Sequence, residues 1–213
     1  MKKFFLAAIF LGLMFGTVGA ANAKDHAAVD SQKKMLIYNG YAGESVTKSV
    51  SPWKKILSTT IDAEDCDDKA FLVSVSGVTG IFSQNLNVAT STDLRLVVDA
   101  ARIQVAVKID GKWATPGPVT FDSAMHYNEQ SSVPGFINID MSGQTAAHSF
   151  NFYQVGVADT DDDDHTVEVF ARVSLDATAL SLSGLDSTQV TAVVGSRTLI
   201  VETAYVDTDE NSD

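Results

Sequence analysis

The chain has 213 residues, with 15 Lys and Arg against 27 Asp and Glu, and a formal charge of −12. A body this acidic repels polyanions, which argues against DNA or RNA as partners. A single cysteine, Cys66, excludes an internal disulfide, so the core has to hold by burial alone.

The first element is Met1 to Ala23. Lys2 and Lys3 make a positive start, Phe4 to Phe15 is an almost unbroken apolar run, and Ala21-Asn22-Ala23 supplies small residues for cleavage. This is the layout of a secretory signal peptide removed before Lys24. A membrane anchor is the competing reading, but Gly12, Gly16 and Gly19 interrupt the run. A lipoprotein would carry cysteine where Lys24 stands. The expectation is an exported bacterial protein, periplasmic or secreted, with no lipid tether and no membrane span after cleavage. Removing 23 of 213 residues leaves 190, the size of one domain, and takes the charge from −12 to −14 because Lys2 and Lys3 leave with it.

Residues 24–51 read as a polar, partly flexible arm, in which Lys34-Met35-Leu36-Ile37-Tyr38 is able to add an edge strand. Residues 24–55 hold six basic and three acidic side chains, whereas everything from Ile56 onward holds seven basic and 24 acidic ones. The arm is either a leader that folds back on the acidic body or binds a partner, or an ordinary solvated N-terminus.

From residue 52 to 206 the dominant period is two, the mark of strands with one buried and one wet face. Strands are expected at Lys55 to Ile61, Ala70 to Val78, Leu94 to Val98, Val119 to Phe121 and Phe136 to Met141. The clearest strand runs from Ala101 to Ile109, with Arg102, Gln104 and Lys108 opposite its apolar side; Asp110-Gly111 then suits a tight hairpin turn into Lys112-Trp113. His165 to Leu175 alternates Val167, Val169, Ala171 and Val173 with Glu168, Phe170 and Arg172. It is expected to form a hairpin with His148 to Val157, and Gly195-Ser196 to turn a third hairpin between Gln189 to Val194 and Arg197 to Val206. Gly40 to Gly43 and Gly77 to Gly80 read as turns. A short helix competes only at the start of Val88 to Ala101, and residues 207–213 read as an acidic tail.

About ten short strands with Gly, Ser, Asp and Pro turns predict an all-β fold, a two-layer antiparallel β-sandwich of jelly-roll or Greek-key type, with a closed barrel as the alternative.

For chemistry, the acidic turn is the first candidate. Asp159, Asp161 and Asp163 alternate, and crowded carboxylates are relieved by a hard cation, which points to calcium as cofactor. An EF-hand is excluded because Asp164 stands where its glycine belongs and Phe170 where its glutamate does. The opposing reading is a solvated acidic turn, and the clusters at Asp62 to Asp68 and Asp207 to Glu210 favour it. Cys66 lies among carboxylates that disfavour its thiolate, so an intermolecular disulfide suits it better than catalysis. His26, His126, His148 and His165 show no zinc spacing, and no nucleophile elbow is present. No catalytic residues are assigned.

Trp53, Trp113 and Tyr127 fall near strand ends or loops, where exposed rings stack on sugars or instead cap the core. The stretch Asp122 to Pro134 reads as a binding loop, with His126 and Tyr127 as its contact residues. The leading function is a non-enzymatic binding or assembly module for envelope or extracellular protein or carbohydrate. The alternatives are a secreted hydrolase of carbohydrate or peptide, and a homo-oligomeric structural subunit, which requires an exposed apolar patch or open strand edge.

Overall fold

The computed structural model describes residues 27–43, 48–62, 69–88, 94–131, 137–155, 164–180 and 186–205. Eleven strands run through them: β1 (Ala27–Gln32), β2 (Leu36–Gly43), β3 (Lys48–Val50), β4 (Lys54–Asp62), β5 (Lys69–Val88), β6 (Leu94–Ile109), β7 (Lys112–Trp113), β8 (Val119–Ser131), β9 (Ile137–Val155), β10 (Asp164–Leu180) and β11 (Asp186–Tyr205). No helix occurs among the described residues, so the all-β expectation holds.

All pairings are antiparallel and fall into two sheets. In the first, β11 runs beside β5 and β5 beside β9, while β1 and β2 follow one another along the other edge of β11. In the second, β4 and β3 share one edge of β10, β10 pairs β6, and β7 and β8 share the far edge of β6. The inward residues of both sheets meet in one core, where Phe71, Val73, Phe152 and Leu199 of the first sheet join Ile103, Val107, Val167 and Leu175 of the second. Each fully buried side chain of this kind stabilises the fold by about 1.5–3 kcal/mol relative to exposure.

The Asp110-Gly111 hairpin is as expected. Asp110 has φ 48° and Gly111 φ 77°, the paired positive angles that let a two-residue turn follow the strand twist. Its register sets Lys108 opposite Trp113.

Several expectations are corrected by long-range pairing. β9 and β10 belong to different sheets, so His148 to Val157 and His165 to Leu175 do not form a hairpin. Gly195-Ser196 is a bulge inside one long strand: β11 pairs β5 on both sides of it, with a register shift between Val194 and Arg197. Gly77 to Gly80 and Gly40 to Gly43 lie within β5 and β2, whereas the strand expected from Leu94 is present as the start of β6. The arm contributes β1, β2 and β3, because β11 and β10 offer it backbone partners that its aperiodic side chains do not advertise. Asp122 to Ser131 continues β8 against β6 and is not a loop; its alternation is hidden because polar Asp122 occupies a buried position beside buried Ala124.

Long sheets this rich in glycine need cover. The Phe82 ring lies across Gly80 on its own strand and Gly143, its cross-strand partner, and a Cβ at Gly143 would collide with it. An aromatic ring thus shields backbone that the glycines leave bare.

Candidate functional site

The outward face of the second sheet gathers rings and cations that are far apart in sequence. Parity places Glu168, Phe170 and Arg172 of β10 outward beside Gln104, Ala106 and Lys108 of β6, and the hairpin adds Trp113 next to Lys108. Trp53 arrives through the bend before β4. The Ser51 amide donates to the Val173 carbonyl at 2.8 Å, and the Val173 amide donates to Ser51 Oγ at 2.9 Å, which fixes that bend against β10.

The rings form a chain: Trp53 to Trp113 at 5.7 Å between centroids, and Trp113 to Phe170 at 5.7 Å, edge to face. Cations seat on them, with the Arg172 guanidinium 4.5 Å from the Trp53 centroid and Lys108 Nζ 4.7 Å from Trp113 and 5.5 Å from Phe170. Each such contact contributes about 0.5–1 kcal/mol at an exposed site. Arg172 Nε donates to Gln104 Oε1 at 2.9 Å, and Lys55 Nζ pairs with Glu168 at 2.8 Å. Ala106 faces outward yet is fully buried, in register with Phe170, so side chains cover this part of the sheet. Trp113 nevertheless keeps 44% exposure.

Around the rings Lys55, Lys108 and Arg172 stand against Glu168, a local positive excess on a chain of −12; Arg102 lies farther along β6, and Asp62 and Asp164 share the face at the far end of β4 and β10. The arrangement offers ring faces and rims for stacking and cationic donors for carboxylates. Trp53 and Trp113 were singled out in the sequence; the structure brings them together. Lys108, Phe170 and Arg172 were legible as outward strand positions, but their convergence on the tryptophans follows from strand order.

The other candidates are distributed differently. Asp159, Asp161 and Asp163 lie outside the described residues, as does Cys66; His126 and Tyr127 belong to β8 by backbone, but their side chains also lie outside the described set. Among the described residues no group of three or more His, Cys, Asp or Glu converges. His165 of β10 pairs with Asp110 in the turn between β6 and β7, Nδ1 to Oδ2 at 2.8 Å, and packs edge-on to Phe71. Asp110 Oδ1 also accepts from the Thr166 amide at 2.8 Å, so the pair locks the turn to β10.

A second polar cluster joins the sheets. Asp122 of β8, 5% exposed, accepts from Thr79 Oγ1 of β5 at 2.5 Å and from Gln144 Nε2 of β9 at 3.3 Å. His148 Nε2 stands 3.3 Å from Asp122 Oδ1 without hydrogen-bond alignment, and its ring meets Phe121. A buried carboxylate held by donors from the opposite sheet is a structural tie.

No family model matches the chain and no curated protein does. Among solved structures it is similar to the infectious bursal disease virus VP2 subviral particle at 11% identity and a TM-score of 0.23, covering 94% of this chain and 47% of that one. It is also similar to dimeric latent PorU from Porphyromonas gingivalis at 10% identity and a TM-score of 0.21, covering 88% of this chain and 14% of that one. The chain thus spans about half the length of the VP2 protein. Likenesses this slight leave function to the chain's own surface.

Proposed function

We propose that the chain is an exported bacterial β-sandwich of jelly-roll or Greek-key type that acts as a non-enzymatic binding module, and that the platform around Trp53, Trp113 and Phe170 takes carbohydrate bearing carboxylates. The observation that carries the reading is the joint presence of half-exposed rings and, around them, three cationic side chains on one face of an acidic chain. Rings supply stacking area against the apolar face of a sugar, and the guanidinium and ammonium groups supply charge-assisted hydrogen bonds to uronate carboxylates. Two sheets with one shared core support the sandwich.

Titration of intrinsic tryptophan fluorescence with an oligogalacturonate, and with a neutral glucan oligosaccharide as control, tests the platform. Saturable binding of the acidic sugar is expected, weakened about tenfold by Lys108→Ala, equivalent to about 1.4 kcal/mol. Equal response to the neutral sugar, or no response to either, refutes the ligand class. The acidic segment holding Asp159, Asp161 and Asp163 is proposed as a calcium site that stabilises the fold. Calorimetric titration with calcium, and melting with and without chelator, decide it: no heat and no shift leave a solvated acidic segment. Export to the periplasm or beyond is tested by N-terminal sequencing of the mature protein, which should begin near Lys24.

A further inference from the structure

The outward face of the first sheet has the opposite character to the platform. Its side chains alternate with the core residues of β11, β5 and β9, and cross-strand rows such as Thr198–Ser76–Ser149 and Ile200–Ser74–Asn151 make it a surface of small polar and apolar groups. Large apolar side chains stand exposed on it: Leu72, Val78, Phe82, Met141, Tyr153 and Ile200. Among the described outward side chains of β5, β9 and β11 only Glu202 carries a charge, and Lys33, between β1 and β2, lines a groove with Ser76 and Val78. A second groove of about 410 Å³, lined by Phe82, Met141, Gln189 and Thr191 among others, is set into the face.

We propose that this face docks on the same face of a second copy of the chain. Three observations select that occupant. The chain carries −12, so two copies repel wherever carboxylates meet, and a face almost free of charge is where they approach without that cost. Depletion of charge with exposed Phe, Tyr and Met is also the composition of an interface centre. The area suffices: β5 from Ala70 to Gln84 is about 50 Å long at ~3.3 Å per residue, and four strand widths at ~4.8 Å give ~19 Å, so each copy offers roughly 950 Å². A standard interface takes about 800 Å² per partner. The Phe82 ring filling the space above Gly80 and Gly143 leaves a continuous surface for the partner. Because this face and the platform belong to different sheets and both turn away from the shared core, docking leaves both platforms open.

Sedimentation velocity and light scattering on the purified chain test the proposal. The expected result is a dimer with micromolar dissociation, tightening as salt rises from about 0.05 to about 0.5 M, because screening removes the repulsion between acidic bodies. Ser76→Glu places a charge at the centre of the face twice per dimer and is expected to weaken association at least about tenfold. Ser58→Glu, on the outward side of β4, should leave it unchanged. Thr145→Lys tests the same face should Ser76→Glu fail to give the circular dichroism of the parent. A monomer at about 100 μM, a dimer that salt dissociates, or a dimer indifferent to both Ser76→Glu and Thr145→Lys overturns the proposal.

Discussion

Replacing Arg197 with alanine should cost far more than an ordinary strand substitution, because this side chain ties together two irregularities in different sheets. The bulge at Gly195-Ser196 turns Arg197 inward, to 7% exposure. Across from it, the register of β4 against β10 skips Ile56, whose carbonyl is left for another donor. Arg197 Nε donates to Ile56 O at 2.9 Å, and Nη1 donates to Lys34 O at 2.7 Å and to Gly195 O at 3.1 Å. Ile56 is buried, so losing a charged donor there costs about 1.5–3 kcal/mol. Lys34 is exposed and Gly195 half-buried; water replaces the donor at those carbonyls, leaving about 0.5–1 kcal/mol each. Against this, alanine recovers the cost of burying the guanidinium, which pushes the Arg197 pKa down while neighbouring Tyr38 and Asp30 pull it back up. The net expectation is a loss of about 2–4 kcal/mol for Arg197→Ala. Arg197→Lys keeps a point charge without the fork and should restore less than about half. Urea unfolding at neutral pH, followed by both tryptophan fluorescence and circular dichroism, measures the difference. A loss under about 1 kcal/mol for alanine would refute the argument, since it would mean that the carbonyls find other partners when the arginine is gone.

Other substitutions separate buried from surface polar contacts. The Tyr38 hydroxyl is buried without a partner, and burial raises its pKa although Arg197 lowers it. Tyr38→Phe should therefore be neutral or stabilising by up to about 1 kcal/mol. A raised pKa means that the folded state holds its proton longer, so the Tyr38 contribution to stability is constant below about pH 10 and is lost above it; in Tyr38→Phe the alkaline fall should be shallower, as read by unfolding between pH 8 and pH 11. Thr79→Val removes the donor to buried Asp122 and should lose about 1.5–3 kcal/mol, whereas Lys55→Ala, at a pair with 53% and 24% side-chain exposure, should change stability by less than about 0.5 kcal/mol. Gly143→Ala displaces the Phe82 ring and should lose about 1 kcal/mol, with the thermal midpoint as readout.

Where local alternation coincides with burial, the sequence is sufficient. Ala101 to Ile109 and Val167 to Leu175 show their inward faces directly, and Asp110-Gly111 announces the only positive angles that a two-residue turn requires there. What fails is any inference from turn residues to chain reversal. Gly195-Ser196 resembles a hairpin turn, yet β11 continues because β5 pairs it on both sides, and the phase break from Val194 to Arg197 reads identically for a bulge and a turn. The Asp-rich segment before β10 likewise resembles a turn, although β9 goes to β5 and β10 to β6. Pairings that join residues more than a hundred positions apart leave no local mark. The same limit applies to the platform: Lys108, Phe170 and Arg172 are identifiable as outward, but Trp53 meets Trp113 only because β4, β10, β6 and β7 succeed one another across the sheet.

The two outward faces together predict how binding should depend on assembly. One face is almost uncharged, the other carries rings and cations, and they turn in opposite directions from the shared core. Joining two copies through the first sheets therefore presents two platforms pointing apart, a geometry that bridges separate segments of a polymer and gains nothing from a short oligosaccharide. Effective concentration then raises apparent affinity for a long acidic polysaccharide by about a hundredfold or more over the single-site value. Ser76→Glu should abolish that gain while leaving oligosaccharide binding intact, and Lys108→Ala should weaken both. Equal affinity of the parent protein for polymer and oligomer would break the link between the two faces even where each proves functional alone.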